Sequence, residues 1–129
     1  MKKHGQFHWN ELMTRDVEGA KAFYGETLGW TYDAMPMPFG TYWVIRAGEA
    51  YVGGIMAISP EDKHFEGVPN HWMAYIAVDD VDSRVAKAKD AGAHVFSEPF
   101  DVAEVGRIAI VKQPDDAVIG WITPRPEDQ

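Results

Sequence analysis

Hydrophobic residues recur at helical spacing between Val17 and Leu28, directly after a short run typical of a strand. The residues on one helical face are Val17, Ala20, Phe23, Tyr24 and Leu28. Thr14 or Asp16 can cap this helix, because their side-chain oxygens accept from the free N–H groups of a first turn. Gly29 follows where a left-handed residue ends a helix. Residues 30–35 then alternate as in a strand, so the pattern predicts a strand-helix-strand unit.

The same unit occurs a second time, about half a chain later. Asp80-Val81 follows Asp16-Val17 at an offset of 64 (80 − 16), and Gly92 follows Gly29 at an offset of 63 (92 − 29). The cap, the helix length and the glycine stop match in order. We interpret the chain as a duplication of one module.

Eight runs in all predict strands, so that each module reads strand, helix, three strands. The strands are predicted at 7–13, 30–35, 41–47 and 51–58, then at 72–78, 94–97, 105–112 and 117–123. The first module spans about residues 7–58, a polar linker 59–70, and the second module about 71–124. We predict an α+β fold of two βαβββ modules whose eight strands form a cup-shaped mixed sheet. A small ligand would bind on its inner face.

Composition narrows the function classes. The chain has 129 residues and no cysteine, which excludes disulfides, thiolate metal sites and a cysteine nucleophile. Its formal net charge of −8 argues against nucleic acids and anionic membranes as partners. The first residues include two lysines but lack the apolar core of a signal peptide. We therefore expect a soluble, cytoplasmic protein.

Three segments carry a resemblance to a known family. They are R-D-V-E-G-A-K-A-F-Y-G-E-T-L-G-W (15–30), V-D-D-V-D-S-R-V-A-K-A-K-D-A-G-A (78–93) and P-D-D-A-V-I-G-W (114–121). Over nearly its whole length the chain resembles the vicinal oxygen chelate superfamily, which includes glyoxalase I, bleomycin-resistance proteins and extradiol dioxygenases. It is most similar to the small, uncharacterised glyoxalase-like members. Gln113 and Asp116 replace the usual Asp and Gly of the family's last turn. The resemblance implies the cup-shaped fold and a homodimer.

The resemblance also implies four inward metal ligands, one on the first and one on the last strand of each module. These positions fall on Trp9, near Gly54, on Met73 and on Gly120. None of the four supplies a ligand suited to a hard or borderline divalent metal. We therefore expect no metal cofactor, and the family's metal-dependent activities do not transfer to this chain.

A shifted metal site is the alternative. If Trp9 points inward, strand alternation also turns Glu11 inward, and His71 points inward beside Met73. His71 and Glu11 are the fallback pair for a divalent metal, although two ligands seldom hold zinc tightly.

Glu11 is the candidate catalytic residue. Desolvation in an apolar strand would raise the pKa of its carboxyl group and suit it as a general base. Alternatively, it is a structural residue satisfied by Arg46, Arg107 or a backbone N–H.

Strand alternation also predicts the pocket wall. The predicted ligand-binding residues are Trp9, Glu11, Met56, Met73, Tyr75 and Ile122. Our first hypothesis is a metal-free, glyoxalase-like protein that binds a small apolar or aromatic molecule. The second is a divalent-metal lyase, isomerase or dioxygenase using His71 and Glu11. The third is a resistance protein that sequesters a drug between the subunits of a homodimer.

Overall fold

The computed structural model describes residues 3–38, 40–102 and 105–125. Its helices and strands, in chain order, are β1 (Phe7–Thr14), α1 (Val17–Leu28), β2 (Thr31–Met37), β3 (Gly40–Ala47), β4 (Ala50–Ala57), β5 (His71–Ala77), α2 (Val81–Asp90), β6 (His94–Val102), β7 (Gly106–Lys112) and β8 (Val118–Pro124). This order confirms the predicted α+β class, with the βαβββ sequence of elements occurring twice.

The chain divides into two compact units. We call the unit Trp9–Trp72 module one, and the residues before Trp9 together with those after Trp72 module two. In module one the strands lie in the order β2-β3-β4-β1, and in module two in the order β6-β7-β8-β5. Within each module the first and last strands pair in parallel, whereas the other neighbours are antiparallel. The modules therefore share one topology.

Register supports the duplication. Glu11 of β1 lies opposite Gly54 of β4, and Tyr75 of β5 lies opposite Gly120 of β8. Glu11 and Tyr75 are separated by 64 residues (75 − 11), which is the offset that the helix caps show. Glu11 and Tyr75 are therefore equivalent positions of the two modules.

The helix ends follow the predicted chemistry. Asp16 caps α1 by accepting from the N–H of Gly19 at 2.9 Å, and Gly29 ends the helix in the left-handed conformation. Asp80 caps α2 by accepting from the N–H of Asp82 at 3.2 Å. Ala91 is the C-cap of α2, and Gly92 follows it with the positive φ that commonly ends a helix at that position.

A hydrophobic core lies between helix and sheet in each module. In module one the buried core residues are Leu12, Ile45 and Ile55, and in module two they are Val78, Val81, Val85, Ala109 and Val111. No residue of α1 is fully buried: Val17, Ala20 and Tyr24 pack partly buried against this core, whereas Phe23 is 58% and Leu28 57% exposed. Phe23 lies about 100° around the helix from Tyr24, at the flank, and Leu28 is the last helical residue.

Strand β6 is longer than the predicted 94–97. It runs to Val102, with pairing to β7 shifted between Val95 and Ser97 and again between Ser97 and Phe100. Pro99 lies in the second irregular stretch, where it need not donate a ladder hydrogen bond. Alternation is lost at such bulges, which is why the pattern ended too early.

Candidate functional site

The candidate site lies on the sheet face of module one that is turned away from α1. Leu12, Ile45 and Ile55 point toward the helix, so strand alternation places their neighbours on the opposite face. The residues on that face of β1, β3 and β4 are Trp9, Glu11, Met13, Tyr42, Gly54 and Met56. Three predicted site residues, Trp9, Glu11 and Met56, thus share one face of one module.

Trp9, Tyr42 and Glu11 form a hydrogen-bonded group, which we call the module-one triad. The indole Nε1–H of Trp9 donates to the Tyr42 hydroxyl at 2.8 Å, and Tyr42 is hydrogen-bonded to Glu11. Glu11 is only 5% exposed and Tyr42 only 7%. Trp9 is half-buried. The triad thus joins a covered carboxylate to a partly accessible indole ring.

The phenol of Tyr42 stays protonated in this setting. Burial raises its pKa well above the ordinary value of 10.0, and the negative charge of Glu11 raises it further. The hydrogen bond to Glu11 acts in the same direction, whereas the bond from Trp9 opposes it. A neutral phenol that accepts from the indole has its own hydrogen available for the carboxylate.

Gly54 makes room for Tyr42. A Cβ on Gly54 would collide with the Oη, Cζ and Cε2 atoms of the Tyr42 side chain. The phenol therefore lies directly over the β4 backbone, beside the strand that carries Glu11.

Module two carries the other predicted site residues on its corresponding face. Met73, Tyr75 and Ile122 are all buried, and the Tyr75 ring lies where a Cβ of Gly120 would be. At the position equivalent to Glu11, this module has a phenol instead of a carboxylate. Lining of a ligand pocket by these three residues stays a prediction.

The metal that the family resemblance implies does not fit the residues at the four ligand positions. Trp9 offers only an N–H donor, already used by Tyr42. Gly54 and Gly120 have no side chain, and a tyrosine ring covers each of them. Met73 is a buried thioether, a soft ligand. Among residues 3–38, 40–102 and 105–125, no group of three or more histidine or carboxylate side chains could hold a metal ion.

His71 and Glu11, the fallback metal pair, each contact other groups of the protein. The imidazole Nδ1 of His71 lies 2.8 Å from the carbonyl oxygen of Pro69, and its ring is 6.1 Å from that of Phe65. Glu11 is hydrogen-bonded to Tyr42. Metal binding by His71 and Glu11 has no support in these contacts and stays an untested alternative.

The arginines proposed as structural partners of Glu11 contact other carboxylates. Arg46 lies 3.7 Å from Asp33, and Arg107 binds Asp82 at 2.7 Å. Sequence reasoning missed Tyr42, to which Glu11 is hydrogen-bonded. Alternation in β3 could have found it, since Trp43 and Ile45 pack toward α1.

A second aromatic group lies on the helix side of module one. Tyr24 stacks on Trp30 with ring centroids 4.8 Å apart, and the Trp72 indole N–H donates to the Tyr24 hydroxyl at 3.2 Å. Trp72 is 41% exposed. This tryptophan–tyrosine pair has the same kind of indole-to-phenol hydrogen bond as Trp9 and Tyr42.

Comparisons with known proteins agree with this architecture. The model of the Glyoxalase/Bleomycin resistance protein/Dioxygenase superfamily matches residues 6–120. The chain is 42% identical over 124 residues to the putative glyoxylase CFP32 of Mycobacterium tuberculosis, covering 95% of this chain and 46% of that protein. It is 28% identical over 121 residues to the anthracycline biosynthesis protein DnrV of Streptomyces peucetius, covering 84% and 43%. The chain thus spans about half the length of these relatives.

Solved structures share the fold at low identity. Methylmalonyl-CoA epimerase from Mycobacterium tuberculosis superposes with a TM-score of 0.68 at 16% identity, covering 95% of this chain and 89% of that one. The hypothetical protein BH1468 from Bacillus halodurans gives 0.69 at 15% identity, covering 95% and 96%. Within the described residues, no helix is both long and apolar enough to cross a membrane.

Proposed function

This chain belongs to the Glyoxalase/Bleomycin resistance protein/Dioxygenase superfamily, and we propose that it is a metal-independent member. In this proposal it binds a small aromatic molecule at the module-one triad. The observation that carries the proposal is the hydrogen bond between Trp9 and Tyr42. Trp9 occupies a position where the family resemblance implies a metal ligand, and the hydrogen bond to Tyr42 fixes its indole ring there instead.

The geometry of Trp9 favours a flat, apolar ligand. Its N–H is held by Tyr42, so the indole plane is fixed before a ligand arrives, and little conformational entropy remains to be lost. A partly exposed indole of fixed orientation offers its face for stacking. The relative DnrV is named an anthracycline biosynthesis protein, and anthracyclines contain fused aromatic rings. That name supports an aromatic ligand class.

Metal independence is the second part of the proposal. A divalent metal needs deprotonated nitrogen, sulfur or oxygen ligands. An indole N–H and two glycines under tyrosine rings supply none of these. Drug sequestration remains compatible with such a site, because it requires binding without turnover. The expected homodimer stays a prediction, and sedimentation at micromolar concentration tests it.

Equilibrium dialysis with naphthalene probes tests the binding site. The probes are 1-naphthylmethylammonium, 1-naphthalenemethanol and 1-naphthaleneacetate, which share one ring system and differ in charge. Trp9→Leu should weaken binding of the tightest probe by about tenfold or more, because a buried aromatic anchor dominates such contacts. Trp72→Leu, the matched control, should change binding less than about twofold by the same reasoning. Absence of binding by all three probes, or equal effects of the two substitutions, would overturn the proposal.

A proton-transfer enzyme without a metal is the second candidate function. The burial of Glu11 favours it, as does the 42% identity to a protein named as a putative glyoxylase. A covered carboxylate can remove a proton from carbon beside a carbonyl group and return it. Deuterium uptake from D2O into methylglyoxal, followed by proton NMR, would measure this activity. Exchange that is lost in Glu11→Gln and kept in Glu26→Gln would support an enzyme, and exchange no faster than without protein would exclude this reaction.

A further inference from the structure

Arg46 of β3 is a cation on the same face of module one as the triad. Its neighbour Ile45 is buried toward α1, so strand alternation turns Arg46 to the opposite face. The register shift at this point skips Val52 of β4, so the alternation of β3 itself is kept. Arg46 pairs with Tyr51 across the sheet, and its guanidinium carbon lies 5.4 Å from the centroid of that ring. Arg46 therefore shares the face on which we place the ligand.

The strand registers put Arg46 and Trp9 at the same end of that face. Gly54 of β4 pairs with Val44 of β3 and with Glu11 of β1. Because β3 runs antiparallel to β4 and β1 runs parallel to it, two residues after Val44 and two residues before Glu11 lie in the same direction. Arg46 and Trp9 are therefore about two strand spacings apart, roughly 10 Å between their Cα atoms. An aromatic ring stacked on Trp9 would place a short polar arm within reach of the Arg46 side chain.

The guanidinium of Arg46 makes no hydrogen bond within the described part of the chain. Its Nε is buried without an acceptor, and its Nη1 lies 3.7 Å from Oδ2 of Asp33, beyond hydrogen-bond distance. That oxygen already accepts from the Tyr51 hydroxyl at 3.1 Å. The Arg46 side chain is nevertheless 35% exposed, so solvent reaches it. A ligand can thus approach a cation whose donors are not committed to these neighbours.

We infer that Arg46 binds an anionic group of the ligand, so that this site selects aromatic molecules carrying a carboxylate over those carrying a neutral hydroxyl or an ammonium group. The inference rests on the proposed binding function and adds the chemical class of the ligand. A guanidinium matches a carboxylate with two parallel N–H···O bonds, which are stronger than bonds between neutral groups. The Tyr51 ring already lies against the guanidinium, so less side-chain freedom is lost when the anion binds.

Glu11 and Asp33 carry negative charges that oppose an anion on this face. Glu11 is only 5% exposed and is hydrogen-bonded to Tyr42, so it is covered. The Asp33 side chain is 45% exposed and competes with the ligand for the guanidinium of Arg46. A partly exposed ion pair at 3.7 Å is weak, and a ligand carboxylate at hydrogen-bond distance would replace it. Substitutions of Arg46 and Asp33 should therefore change the affinity for an anion in opposite directions.

The three naphthalene probes test the inference by calorimetry at about 0.15 M salt, where long-range repulsion by the net charge of −8 is largely screened. The wild-type chain should bind 1-naphthaleneacetate about tenfold more tightly than 1-naphthalenemethanol, as expected for charge-assisted hydrogen bonding. The ammonium probe should bind most weakly. In Arg46→Gln the ratio between acetate and alcohol should fall to about one, since the amide is neutral. Asp33→Asn should tighten acetate binding about two- to fivefold. Lys87→Gln removes an exposed positive charge from α2 and should leave the ratio unchanged.

Each outcome decides a different question. Acetate binding no tighter than alcohol binding on the wild-type chain would overturn the ligand class but leave the binding function standing. An acetate preference that survives Arg46→Gln, or that Lys87→Gln removes equally, would also overturn the inference, because the selecting charge would lie elsewhere. Binding of no probe would overturn the proposed function itself. If Arg46→Gln does not fold, Asp33→Asn decides, since an unchanged affinity for acetate in that variant would overturn the inference.

Discussion

The phenol of Tyr42 lies over the Cα of Gly54, so that no side chain could occupy that position without displacing the ring. In module two, Tyr75 lies over Gly120 in the same way. Neither glycine has a positive φ, so each is needed for space and not for backbone conformation. The covering tyrosine comes from β3 in module one and from β5 in module two. Only module one can therefore carry a carboxylate opposite its glycine.

Replacing Gly54 with alanine should destabilise the protein. The new methyl group would collide with the Tyr42 ring, and overpacking of this kind costs roughly 1–3 kcal/mol in the free energy of unfolding. Urea denaturation measures the change. Gly25→Ala is the control, because its Cβ would meet only the Trp30 carbonyl oxygen, at 3.7 Å. In a helix interior that substitution should stabilise by up to ~1 kcal/mol. A Gly54→Ala protein as stable as wild type would contradict the packing.

The repeated units of this fold were predictable because their signals are local. A cap side chain, an apolar period and a glycine stop lie within about one helix length of one another. The sequence predicted Gly29 as the stop and left the cap open between Thr14 and Asp16; the structure confirms Gly29 and selects Asp16. Alternation along β1 likewise placed Trp9 and Glu11 on one face, because the period of a strand is fixed.

The triad was not predictable as a unit, because it depends on pairing between distant strands. Tyr42 lies 33 residues from Trp9, and the room for its ring comes from Gly54 on a third strand. Gly54 gave only a general signal, since a glycine in a strand also indicates a bulge. Exposure of Phe23 was missed because periodicity locates a face and not its edges.

Tyr42→Phe should distinguish the contribution of the Tyr42 hydroxyl from that of its ring. The ring would still fill the space over Gly54, but Trp9 would lose its acceptor and Glu11 a donor. Leaving buried polar groups unsatisfied costs roughly 1–3 kcal/mol in the free energy of unfolding. Binding of the tightest naphthalene probe should also weaken, because the orientation of the Trp9 indole would no longer be fixed by Tyr42. Calorimetry and urea denaturation measure the two effects.

Tyr24→Phe is the control for that substitution, since its hydroxyl accepts from Trp72 at 3.2 Å in a more exposed setting. It should cost less than about 1 kcal/mol in the free energy of unfolding and leave the affinity for the probes unchanged. If both variants lose equal stability and bind the probes with equal affinity, the hydroxyl of Tyr42 has no special role at the site.

Acid should remove a stabilising charge at the start of α2. Hydrogen bonds from Arg84 lower the pKa of Asp79 from its ordinary value of 3.8 to about 2. Because the folded pKa lies below the unfolded one, the ionised carboxylate contributes stability above about pH 4 and loses that contribution as pH falls toward 2. Asp79→Asn should therefore lower the melting temperature at neutral pH, with a difference from wild type that shrinks below pH 4. Asp90→Asn, on the same helix, is the charge-matched control; a constant difference for Asp79→Asn would argue against the Arg84 pair.

Metal loading tests the departure from the family pattern most directly. After incubation with Zn²⁺, Ni²⁺, Mn²⁺ or Fe²⁺ and desalting, the protein should retain far less than about one metal ion per chain, because two or fewer side-chain ligands seldom hold such ions. Elemental analysis measures the content. About one ion per chain, lost in both His71→Ala and Glu11→Gln but kept in His94→Ala, would establish the shifted pair as a metal site. A metal ion bound to Glu11 would then lower the pKa of the Tyr42 phenol, because a nearby cation offsets the carboxylate charge and favours the phenolate. Tyrosine absorbance titrated with and without zinc would report that change. We expect a protein without bound metal and a tyrosine absorbance titration that zinc does not change, because the polar groups of the site are already paired with one another.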